Sequence, residues 1–111
     1  AGVIVYSNES KTLLVNVDPA LIAAHGAVSE PVAVALADGI RARTGASVGV
    51  GITGIAGPGG GTPQKPVGTV AIAVSSAEGA QVRTFSFVGP RAQVKFWATQ
   101  AALDMVRRLF V

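Results

Sequence analysis

Val67-Gly68-Thr69-Val70-Ala71-Ile72-Ala73-Val74-Ser75-Ser76-Ala77-Glu78-Gly79-Ala80-Gln81-Val82-Arg83-Thr84-Phe85-Ser86-Phe87-Val88 is the stretch whose reading decides the fold. Two runs rich in β-branched and aromatic residues, 67–75 and 81–88, flank the link Ala77-Glu78-Gly79-Ala80, the pattern of an antiparallel hairpin. Upstream, Ser47 to Ile52 reads as another strand. Downstream, Pro90 opens a helix to about Phe110. In that helix Val94, Trp97, Ala98, Ala101, Ala102, Met105, Val106 and Leu109 follow the i, i+3, i+4, i+7 spacing of a face that packs on a sheet. A second stripe, Phe96, Leu103 and Phe110, falls on nearly the opposite side and calls for another cover, a partner subunit in a homo-oligomer or a missing segment, unless it is simply exposed.

The amino half supplies the remaining elements. Residues 3–6 read as a strand, and Ser7 or Asn8 can cap a short helix to about Val15. Asp18-Pro19 opens a second helix, 19–25, ended by Gly26. Ser29 caps a longer one, with Glu30 and Pro31 in its first turn, Gly45 just past its end, and Val32, Leu36 and Ile40 on one face. The order β-α-α-α-β-β-β-α predicts an α/β sandwich, a mixed parallel/antiparallel sheet flanked by helices, in a single domain over 1–111. Val3-Ile4-Val5-Tyr6 has the look of a central strand at the very start, so the natural domain is expected to begin upstream.

Composition narrows the function classes. The 111 residues carry a net charge of +3 and no cysteine, which removes thiolate nucleophiles and cysteine metal sites. No apolar run approaches the roughly 18 residues of a membrane span. The basic residues are dispersed, with Arg107-Arg108 the adjacent pair, and the chain has four Phe, one Trp and one Tyr. Nucleic-acid binding wants clustered cations with interleaved aromatics and is not expected. With one histidine and six scattered carboxylates, no metal site is expected either.

The candidate chemistry gathers around Thr53-Gly54-Ile55-Ala56-Gly57-Pro58-Gly59-Gly60-Gly61-Thr62-Pro63. Gly49-Val50-Gly51-Ile52-Thr53-Gly54 matches GxGxxG in letters, but its glycines lie along a strand with no helix after them. The dinucleotide reading therefore fails, and close packing is the reading that remains. The phosphate loop of NTPases fails too, because no Gly-Lys-Ser/Thr closes the loop. A glycine-rich loop can still cup a phosphate or carboxylate in its backbone N–H groups, helped by the Thr53 and Thr62 hydroxyls and the Lys65 ammonium, or be a purely structural connection. Tyr6 at a strand end and Lys11 about one helical turn later offer a phenol and an amine that can act together in proton transfer, or serve as a helix cap and a solvated lysine. Arg91 near the start of the last helix can hold a phosphate or stand in solvent. His25, before Gly26, reads as a helix-end residue.

Three segments together resemble one family: Tyr6-Ser7-Asn8-Glu9-Ser10-Lys11, Ala24-His25-Gly26-Ala27-Val28-Ser29-Glu30, and Thr53 through Pro63 continued by Gln64-Lys65-Pro66-Val67-Gly68-Thr69-Val70. Over essentially the whole chain they resemble the CinA carboxy-terminal domain of the competence/damage-inducible proteins. The resemblance implies a cytoplasmic amidohydrolase that converts nicotinamide mononucleotide to nicotinic acid mononucleotide and ammonia in pyridine nucleotide salvage, without metal or organic cofactor. It makes Lys11 the catalytic lysine, paired with an upstream serine, and Tyr6 its assisting tyrosine. Thr53, Gly54, Ala56, Gly57, Gly59, Gly60 and Thr62 become the substrate pocket, and Arg91 a phosphate ligand. Lysine can activate serine without histidine, and the loop amides can serve either the oxyanion or the phosphate. The family's domain is longer at its amino end, where it carries a Glu-Ser-Cys-Thr-Gly-Gly-type motif and the serine; neither stands in this sequence, so this chain is expected to be a poor enzyme as given. The alternative is a non-catalytic module that binds a nucleotide or a protein of competence or DNA repair.

Overall fold

A computed structural model of the chain describes residues 4–5, 18–26, 28–54, 63 and 68–109. The elements run β1 (Ile4–Val5), α1 (Pro19–His25), α2 (Glu30–Thr44), β2 (Gly49–Gly54), β3 (Thr69–Ser76), β4 (Gly79–Ser86) and α3 (Arg91–Arg108). The helix expected over residues 8–15 falls outside the described residues. The strands form a sheet in the order β1-β2-β3-β4. β1 pairs with β2 in parallel over two residue pairs, Ile4 with Val50 and Val5 with Gly51. The β2–β3 and β3–β4 pairs are antiparallel. The α/β class read from the sequence is the class observed.

Local chemistry explains the boundaries. Asp18 accepts from the Ala20 amide at 2.9 Å and Pro19 starts α1. Ser29 accepts from the Val32 amide at the start of α2, and Gly45 ends that helix at φ 70°, a left-handed conformation that glycine adopts freely. The hairpin is tighter than expected. Ser76 pairs with Gly79, so Ala77-Glu78 alone make the turn, and Gly79 takes φ 115° beside it. β2 is shifted two residues from its expected span of 47–52. The ladder continues through Thr53, opposite Ala71, and Gly54, opposite Val70.

Alternation along β2 and β3 gives the sheet two unlike faces. Val50, Ile52, Val70, Ile72 and Val74 point one way and pack with Val94, Ala98, Ala102 and Met105 of α3. Gly49, Gly51, Ala71 and Ala73 point the other way, toward Ala33 and Ala37 of α2. The contact there is close: a Cβ on Gly49 would lie 2.3 Å from the Ala37 carbonyl oxygen, and one on Gly51 2.4 Å from that of Ala33. The packing role read from the glycine spacing is thus what the strand uses. Val32, Leu36 and Ile40 meet Leu21 and Ile22 of α1, so α2 spends its larger side chains largely on its helical neighbour.

The expected stripe of α3 packs on the sheet with one correction. Trp97 is 45% exposed and sits edge-on against Phe96, ring centroids 5.4 Å apart. At ~100° per residue, position 97 lies at the margin of the stripe, next to Phe96. Phe96 and Leu103 are exposed, as their place on the far side predicts, and Phe110 lies outside the described residues. No helix among the described residues is long and apolar enough to cross a membrane.

Candidate functional site

The register brings several chain ends to one edge of the sheet. β1 and β2 run parallel, so their C-terminal ends share an edge. Gly54 faces Val70 there, and Thr69 faces Ser86, so β3 begins and β4 finishes at the same edge. From this edge the sequence runs on into Tyr6 after β1, into the glycine loop after β2, and through residues 87–90 into α3. The contacts of Ala37 with Gly49 and Ala33 with Gly51 show that α2 runs antiparallel to β2, so its N-terminus faces this edge as well. Both long helices therefore direct their positive ends to the place where the glycine loop departs.

The two helix starts differ. Ser29 and Glu30 answer the first-turn amides and the dipole of α2. At α3 the N-cap is Pro90, which supplies no side-chain cap, and no acidic residue occupies the first turn. The first amides of a helix have no intrahelical carbonyl to bond, so such an end suits an anion. Two glycines shape the edge nearby. Gly68 takes φ 95°, and a Cβ there would meet the Phe87 carbonyl oxygen at 1.9 Å. Its own carbonyl accepts from the Phe87 amide at 2.9 Å, which fastens β3 to the end of β4. A Cβ on Gly54 would lie 2.9 Å from Val70 Cγ2, so the strand leaves the sheet along a path that a side chain would obstruct.

Of the site residues expected from the sequence, Thr53 and Gly54 are in the described part. They are the last two residues of β2, strand members rather than loop, and Thr53 is 0% exposed on the face that α2 covers. Arg91 is the first residue of α3, at this edge, with its side chain outside the description. Tyr6, Lys11, Ala56, Gly57, Gly59, Gly60 and Thr62 lie outside the described residues. His25 is an exposed last-turn residue of α1, as read. The sequence reading missed Glu30 as a residue of this edge. Its Oε2 accepts from the Thr84 hydroxyl at 2.8 Å, a pairing across 54 positions that no local motif announces.

The opposite end of the sheet carries a cleft of about 440 Å³ lined by Asp38, Arg41, Ala42, Gly45 and Ala46. Its polar groups fasten α2 to β3. The Ser75 hydroxyl donates to Asp38 Oδ1 at 2.5 Å, and Arg41 Nη1 donates to the Ser76 carbonyl at 2.8 Å. Ser75 is buried and its proton is committed to Asp38, so its hydroxyl is not poised as a nucleophile.

The model of the CinA C-terminal domain family matches residues 1–110. A CinA-like protein of Koribacter versatilis is 54% identical over 110 residues, 99% of this chain and 27% of that protein. One from Acidobacterium capsulatum is 58% identical over 107 residues, 96% of this chain and 26% of that protein. The chain thus spans about a quarter of these relatives. Among solved structures, the competence/damage-inducible protein CihA of Agrobacterium tumefaciens superposes with a TM-score of 0.89 at 32% identity, covering 95% of this chain and 65% of that one.

Proposed function

Because the chain belongs to the CinA C-terminal domain family, we propose that its glycine-rich edge is the substrate site of an amidohydrolase acting on nicotinamide mononucleotide. The observation that carries this reading is the convergence at one edge of the β2 terminus with Thr53, the end of β1 from which the chain continues to Tyr6 and Lys11, and the uncapped start of α3 with Arg91. A phosphate suits the α3 end and Arg91, as a helix start favours an anion. Lys11 and Tyr6 then stand as the proton-transfer pair, and loop amides stabilise charge that develops on the amide oxygen. The nucleophile of this scheme is the serine that the family resemblance pairs with the lysine. We propose a single domain that needs no metal or organic cofactor, acts in the cytoplasm, and does not recognise nucleic acid.

Ammonia release from nicotinamide mononucleotide tests the reading, measured for this chain and for a version extended through the relatives' upstream segment. Turnover by the extended version, lost in Lys11→Ala, is expected; no turnover by it would refute the enzymatic role. A second reading, self-association through α3, is favoured by the exposure of Phe96, Trp97 and Leu103. Leu103→Glu should then lower the mass seen by light scattering, and an unchanged mass removes that interface.

A further inference from the structure

Glu30 lies in the first turn of α2, where the helix end alone would stabilise its charge. The dipole does not require a tether, yet the carboxylate is held through Oε2 by the Thr84 hydroxyl of β4. That bond restrains a side chain whose rotamer freedom is otherwise large. Thr84 pairs with Ala71 and Ala71 with Thr53, so the carboxylate is registered to the row of sheet residues that reaches the candidate site. Glu30 and Thr84 are both exposed, and among the described residues Oε1 accepts no hydrogen bond. Asp38 and Glu78 belong to the opposite end of the sheet, beside Ser75 and Ser76, and Asp104 is engaged by Arg107 and Arg108 near the far end of α3.

Resting on the nucleotide reading above, we propose that Glu30, held by Thr84, is the specificity-determining residue that selects a ligand with a positively charged ring. Nicotinamide mononucleotide carries a pyridinium cation at one end and a phosphate at the other. The uncapped start of α3 complements the phosphate, and a fixed carboxylate at the same edge complements the ring. A residue that serves the helix dipole alone would not distinguish ligands by ring charge.

The probe pair is nicotinamide mononucleotide and its reduced dihydropyridine form, which keeps the phosphate and amide but has a neutral ring. Calorimetric titration of the native chain should favour the cationic form by about fivefold, the scale of a solvent-accessible ion pair. The preference should shrink as salt is raised. Glu30→Gln keeps an acceptor for Thr84 and should abolish the preference by weakening the cationic ligand alone, and Thr84→Ala should reduce it partway. Binding of both forms with an unchanged ratio in Glu30→Gln overturns the role of Glu30 and leaves the nucleotide reading standing. Binding of neither form to the native chain overturns both.

Discussion

The two faces of the sheet solve the same packing problem by opposite means. Toward α3, the strands present valines and isoleucines, and the helix is held off by side-chain volume. Toward α2, they present glycine and alanine, and the helix backbone comes down onto the strand backbone. Side chains can rotate and resettle around a gap; two backbones in contact have no such freedom. The volume face therefore carries stability, and the backbone face carries placement. It sets where the first turn of α2 stands relative to Thr53.

The largest stability loss should come from the volume face. Ile72, fully buried, truncated by Ile72→Ala should lose about 4 kcal/mol in urea denaturation, from lost transfer energy and the cavity left behind. The folded fraction should still bind nucleotide with native affinity. Gly51→Ala should cost less, about 2–3 kcal/mol from overpacking, yet weaken binding because α2 must lift off the strand. The companion change Leu36→Ala should not restore it, since the nearest obstacle is the Ala33 carbonyl at 2.4 Å. Rescue by Leu36→Ala, or equal binding losses for Ile72→Ala and Gly51→Ala, would break the division of labour. Ser75→Ala, which withdraws the donor to Asp38 in the middle of α2, should cost about 1–2 kcal/mol and leave affinity unchanged.

The smallest effect belongs to the exposed tail of α3, outside both faces. The hydrogen bond from Arg107 holds the Asp104 carboxyl below its ordinary range, with the Arg108 charge adding to it. A carboxyl whose pKa is lowered by folding contributes stability that is complete above its unfolded pKa and is lost as pH falls through the folded one. Asp104→Asn should therefore lower stability slightly near neutrality, and the native and variant curves should converge as pH falls below the carboxylate range.

The two faces were not equally legible in the sequence. The β-branched and aromatic runs in 67–88 and the i, i+3, i+4, i+7 spacing in the last helix disclosed the volume face, because large side chains leave a periodic signal. Trp97 was misplaced because a residue at a stripe's margin obeys the period without being covered. Close packing could be read from Gly49 and Gly51, but not its partner: nothing local couples Gly51 to Ala33. The site divided the same way. Thr53 and Gly54 were found through the glycine run, though the strand took them in, since ladder pairing with Ala71 and Val70 outweighs glycine's weak strand preference. Glu30 was hidden because its partner lies in a distant strand.

The central claim is that the edge where β2 ends binds a phosphorylated pyridine nucleotide, and isothermal titration with nicotinamide mononucleotide tests it most directly. The native chain should bind saturably, and Thr53→Val and Lys11→Ala should each weaken that binding while the fold is retained. No binding by the native chain, or binding that both substitutions leave intact, would contradict it.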